Sequence, residues 1–144
     1  MPVKLNLACG HVSLPAEEGW VNLDKIDGDH VDICCSVPPI PFDDESVDYI
    51  LASHFLEHVP RGETFIDLMN ECWRVLKPGG IMHVECPLAN TTWYFQDPTH
   101  VNPIVPELFD YLLDKYEYLR YGFKVWSSHS MKTEHWIVKG DLVK

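Results

Sequence analysis

Residues 54–58 read HFLEH, two histidines four apart with a glutamate beside the second. Taken literally this is H-x-x-E-H, a zinc pattern of one metallohydrolase class, since imidazole nitrogens and a carboxylate oxygen are ordinary ligands of that ion. The pattern works when both histidines lie on one face of a sustained helix, so that residues four apart converge. Here Pro60 and Gly62 follow His58 almost at once, and DYILAS before it is strand-like, which leaves room for about one turn. The reading therefore expects no metal and divides the stretch into a strand-end histidine, His54, and a short hinge ending on His58. A zinc hydrolase stays as a minor alternative for metal analysis.

A second set of reactive side chains lies in NTTWYFQDPTHVNP, residues 90–103. Asp97 and His100 can orient or deprotonate an oxygen or nitrogen nucleophile, because imidazole titrates near neutral pH. Trp93, Tyr94 and Phe95 can shield a reacting group from water. The plainer alternative makes the aromatics core or interface residues and the polar ones turn caps.

These residues need a frame. Residues 4–9 end on Gly10 and read as a strand entering a turn, followed by strands at 20–23, ending on Asp24, and 31–35. The prolines of SVPPIPF stop the third, and further strands are expected at 47–52 and 81–85. Phe65, Leu68, Met69, Cys72 and Leu76 recur at helical spacing, which predicts an amphipathic helix over 63–76 ended by KPGG. A second helix is expected over 106–118, with Leu108, Phe109, Leu112 and Leu113 as its stripe. The tail reads as two strands, 122–129 and 134–139. Strands alternating with helices imply an α/β sheet. The first connections hold about ten and about six residues, whereas a helical crossover needs roughly ten to twelve, so helices are reduced in the first half. A sheet face left bare there favours a homodimer or another partner.

The chain has 144 residues, 46% of them hydrophobic, enough for one core and one domain. A formal charge of -11 argues against a nucleic-acid surface, because the basic residues are scattered. The stretch YLRYGFKVW keeps stacking on unpaired bases open. Five cysteines without a C-x-x-C pair suggest reduced thiols and a cytoplasmic protein. No leader or membrane-spanning run is evident, so a soluble, unprocessed chain is expected.

In order and spacing, LNLACG (5–10), VNLDK (21–25), IPFDDESVDYI (40–50), FLEHV (55–59) and RVLKPGGIMHVECP (74–87) resemble the class I S-adenosylmethionine-dependent methyltransferases. DPTHV at 97–101 is similar to the region after the fifth strand in small members. The resemblance implies a single-domain Rossmann-like α/β fold with a seven-stranded, mostly parallel sheet in the order 3-2-1-4-5-7-6, the last strand antiparallel. It implies S-adenosylmethionine over the carboxyl ends of the first strands, where open α/β sheets bind ligands. On this resemblance Ala8, Cys9 and Gly10 form the cofactor loop, Asp24 accepts the ribose hydroxyls, Ser36 and Val37 meet adenine, Ser53 and His54 meet the methionine end, and Glu57 and His58 of LEH organise the floor of the cofactor site, with a surface pair as the alternative. His54, Asp97 and His100 become the catalytic candidates, acting on a small-molecule acceptor. The family pattern has glycine where this chain has Ala8, a further glycine near His11–Ser13, and often an acidic residue at Ser36. A relative that keeps the fold as a binding or assembly module is the alternative, and cofactor binding separates the two.

Overall fold

A computed structural model describes all of the chain, Met1–Lys144. Its strands are β1 (Lys4–Leu7), β2 (Trp20–Asp24), β3 (Ile33–Cys34), β4 (Val47–Ser53), β5 (Leu76–Pro87), β6 (Ser128–His129), β7 (Lys132–Glu134) and β8 (Ile137–Val143). They form one sheet in the order β3-β2-β1-β4-β5-β8-β6, with β7 also on β8. The pairings from β3 to β5 are parallel, and β8 is antiparallel to β5, as expected.

Eight strands replace the expected seven because one is interrupted. His129 pairs with Leu142 and Lys132 with Lys139, so β6 and β7 share one register along β8. The gap falls where the backbone of Ser130 and Met131 passes Gly140 so closely that a Cβ there would lie 2.7 Å from it. Glycine permits that approach. Residues 122–127, expected in the same strand, are not strand.

Helix α1 (Glu63–Val75) buries Phe65, Leu68, Met69, Cys72 and Val75 against the sheet. KPGG does not cap it. Leu76 is already extended and pairs with Val47, and Gly79, at φ 78°, sits in an irregular entry to β5, its N–H donating to the Lys144 carbonyl. The expected helix over 106–118 is also revised. Two 3-10 stretches, Pro106–Leu112 and Asp114–Leu119, meet at an extended Leu113, which bridges to Trp126. The Leu112 carbonyl accepts from Trp126 N–H, so the backbone serves a tertiary pairing instead of an i→i−4 ladder.

The first half has few helices, as expected: one 3-10 turn, Ala16–Glu18, between β1 and β2, and none from β2 to β4. Two buried asparagines hold the connection. Asn6 Nδ2 donates to Asn22 Oδ1 at 2.9 Å and to the Val12 carbonyl at 2.7 Å. Asn22 Nδ2 donates to the Leu14 carbonyl, and its Oδ1 accepts from Leu14 N–H. Side-chain amides thus satisfy loop groups that a covering helix would have satisfied within itself. No helix is long and apolar enough to cross a membrane.

Candidate functional site

At the carboxyl end of β1 the chain turns through Ala8 (φ 55°) and Gly10 (φ 56°), both left-handed. Cys9 N–H donates to the Leu23 carbonyl, and Gly10 N–H donates to Asp24 Oδ2 at 2.8 Å. The other oxygen, Oδ1, accepts from Ile26 N–H at 2.9 Å. One carboxylate thereby ties the loop after β1 to the loop after β2. The Cys9 side chain is buried and its backbone is engaged within the loop, its carbonyl accepting from Val12 N–H, so the expected ligand contact of Cys9 has no free group here; burial, then the charge of Asp24, pushes its thiol pKa up. Ser36 is exposed beyond β3, whereas Val37 packs partly against the core.

The end of β4 is built differently. Ser53 pairs with Glu85 on β5, and His54 follows in a left-handed conformation (φ 51°), its N–H donating to the Glu85 carbonyl at 2.7 Å. The turn Leu56–His58 then buries Glu57. Helix α2 (Thr92–Phe95), a single turn, leads into DPTH, where Asp97 Oδ1 accepts from Thr99 N–H and from Thr99 Oγ1. Those two bonds hold the Asp97 carboxyl below its ordinary pKa. The loop docks on the turn through backbone: Val101 and Asn102 N–H both donate to the Glu57 carbonyl.

That docking brings His54, Asp97 and His100 to one cavity of about 190 Å³, walled further by Trp93, Gln96 and Trp136. The indoles of Trp93 and Trp136 stack with centroids 5.3 Å apart. His54 Nδ1 lies 3.5 Å from Glu57 Oε1, and that neighbour is the main cause raising its pKa above the ordinary histidine value, against the opposing effect of burial. At 3.5 Å the contact is long for a hydrogen bond, and neither Glu57 oxygen has a hydrogen-bond partner, so it is an ion-pair contact. His58 turns toward His100, ring centroids 4.8 Å apart, in the company of Glu57. It does not share a contact with the Gly10–Asp24 pair.

Sequence reasoning missed Gln96 and Trp136, and treated Glu57 as part of a hinge. Trp136 enters from the turn between β7 and β8, about forty residues beyond Trp93, and nothing local in TEHWIV marks it. Glu57 carried a signal in hindsight, a charged residue inside an otherwise apolar FLEHV.

Residues 11–84, just over half of the chain, match a protein family described as a methyltransferase domain. The chain belongs to that family. No curated protein matches the sequence. Among solved structures the chain is similar to an S-adenosylmethionine-dependent methyltransferase from Archaeoglobus fulgidus, at a TM-score of 0.70 and 18% identity, covering 99% of this chain and 86% of that one. It is similar to the Burkholderia thailandensis 1,6-didemethyltoxoflavin-N1-methyltransferase with bound 1,6-didemethyltoxoflavin and S-adenosylhomocysteine (0.63, 14%, 99% and 71%). An Aquifex aeolicus S-adenosylmethionine-dependent methyltransferase gives 0.62, 14%, 99% and 81%. At these identities the likeness is one of fold. In this methyltransferase domain the Gly10–Asp24 pair and the aromatic cavity occupy the carboxyl side of the central strands, where the rule for open α/β sheets puts ligands.

Proposed function

We propose that the protein transfers a methyl group from S-adenosylmethionine to a small-molecule acceptor held in the cavity beside His54. The observation that carries this reading is the Gly10–Asp24 pair. A Cβ on Gly10 would meet nothing within 4 Å, so the loop opens onto free space at the point where the Asp24 carboxylate is fixed. Each Asp24 oxygen uses one lone pair on a backbone N–H and keeps another, which suits two ribose hydroxyls. These residues therefore fit the cofactor.

When bound, S-adenosylmethionine supplies an activated methyl on a sulfonium, with a good leaving group already in place. The protein's share is alignment and proton handling. Gly10 and Asp24 bind and orient; Ala8 and Ser53 offer backbone, Cys9 holds the loop through its own backbone bonds, and Ser36 and Val37 flank the adenine position. Trp93 and Trp136 exclude water from the acceptor. His54, its pKa raised above the ordinary value chiefly by Glu57, takes the proton an oxygen or nitrogen acceptor releases. Asp97, fixed as a carboxylate, orients that acceptor together with His100. The volume favours a small acceptor, and the charge of -11 disfavours nucleic acid.

Calorimetric titration with S-adenosylhomocysteine tests the reading. Saturable binding to wild type is expected; no heat and no thermal stabilisation at millimolar ligand would leave a non-catalytic module of the same fold. A cytoplasmic location is proposed on the five unpaired cysteines. A homodimer is proposed on exposed apolar side chains such as Val12 and Ile26 in the thinly covered half, and sedimentation equilibrium checks it.

A further inference from the structure

Glu57 is buried to 1% side-chain exposure, and neither of its oxygens has a hydrogen-bond partner. A carboxylate so placed is costly unless a charge neutralises it. Three imidazole nitrogens approach the same oxygen: His54 Nδ1, in the ion-pair contact at 3.5 Å from the cavity side, and His58 Nε2 and His100 Nε2, each 4.0 Å from Oε1. That distance is too long for a hydrogen bond.

The other ring nitrogens decide what those Nε2 atoms carry. His100 Nδ1 lies 2.7 Å from the Tyr94 carbonyl, which only accepts, so Nδ1 is the donor. Thr99 Oγ1 gives its hydrogen to Asp97 at 2.6 Å and is left to accept from His58 Nδ1 at 3.1 Å. In both neutral rings the free lone pair is therefore on Nε2. Three lone-pair atoms, from Glu57, His58 and His100, converge within 4.8 Å with no donor among them. Metal-binding histidines have this arrangement, the second ring nitrogen donating to a carbonyl or to a group backed by a carboxylate.

We propose that Glu57, His58 and His100 form a site for a divalent transition cation of the zinc class. Two imidazoles and one carboxylate favour zinc or its neighbours over magnesium or calcium, which prefer all-oxygen shells. Ligand atoms around tetrahedral zinc lie roughly 3.4 Å apart, given bonds of about 2.0–2.1 Å, so side-chain torsions must close about 0.6 Å between Glu57 and each imidazole and up to about 1.4 Å across the set. The expectation of no metal from HFLEH is thereby replaced. The missing helix is real, but the DPTH loop, docked by two backbone bonds to the Glu57 carbonyl, supplies His100 where a helix would have supplied His54. His100 also walls the cavity, so a cation here favours an acceptor with an oxygen or nitrogen donor; that step alone rests on the proposed acceptor reading.

The test is calorimetric titration of the chelator-treated full chain with zinc, and with magnesium as the contrast, alongside the absorption spectrum of a cobalt-loaded sample. One equivalent of zinc is expected, with magnesium at least tenfold weaker and cobalt bands of a low-coordinate nitrogen and oxygen site. H58A and H100A should each weaken zinc at least tenfold while circular dichroism shows the fold kept; H58N serves if H58A does not fold. A Cys34→Ser variant should bind as wild type. Failure of folded wild type to bind zinc at 1 mM, or zinc retained in both histidine variants, would overturn the site. S-adenosylhomocysteine titration is separate, so loss of one reading is distinguishable from loss of the other.

Discussion

Replacing Asp24 by alanine separates a ligand-binding carboxylate from one that merely ties two loops together. In the free protein the change removes the acceptor for Gly10 and Ile26 N–H, but both bonds are exposed and water takes their place. That loss costs about 1 kcal/mol or less, or about 4 °C in Tm for a domain of this size. In the complex it removes two hydrogen bonds from ribose hydroxyls to a charged acceptor, each contributing about 1.5–3 kcal/mol. The binding loss is then about 3 kcal/mol or more, on the order of a hundredfold in Kd. Titration with S-adenosylhomocysteine reads this directly, and thermal unfolding of the same sample reads the structural part. Asp24→Asn keeps one neutral acceptor and should fall between. A folded D24A that binds within threefold of wild type would refute the ribose assignment, whatever its Tm.

Gly10→Val forces a β-branched residue to φ 56° and fills the open space, so it should lose about 1–2 kcal/mol of stability and disproportionately more S-adenosylhomocysteine affinity. Arg74 grips Glu71 with two nitrogens and also donates to Asp44 and the Ile40 and Phe42 carbonyls, so R74M should cost about 2 kcal/mol in denaturant unfolding. Chiefly through that hydrogen-bonded guanidinium, the Glu71 carboxyl sits below its ordinary 4.5 in the folded state. The pair's contribution is complete above pH 4.5 and is lost as pH falls through the lowered folded value, so wild-type stability should drop in that window and R74M should drop less. Glu57→Gln removes a buried carboxylate that lacks hydrogen bonds but also removes the main cause raising the His54 pKa, so the His54 ring should titrate lower in metal-free E57Q than in wild type by NMR, and an unmoved titration would contradict the His54–Glu57 contact.

Much of the frame was legible because it rests on local chemistry. The amphipathic spacing of Phe65 to Cys72 marks α1, and glycine and aspartate at strand ends mark the loops after β1 and β2. The short early connections announced missing helices, although not that Asn6 and Asn22 would hold the loop in their stead. Helical spacing misled at 106–118, where a tertiary pairing with Trp126 claims the backbone, and KPGG misled because β4 draws Leu76 into the sheet before a cap can form.

The sequence by itself determined the principal helix, through its periodicity, and the family, through ordered local motifs; the parallel half of the strand order came only as what that family resemblance implies. Only the tertiary structure decided what HFLEH is part of. Its glutamate is buried by a loop beginning some forty residues later, and the third nitrogen beside it belongs to His100. Which lone pairs are free depends on what Thr99 and the Tyr94 carbonyl do with the opposite ring atoms. No spacing rule within five residues carries that information, because the contacts that settle it are made beyond the carboxyl end of β4 by a loop distant in the sequence.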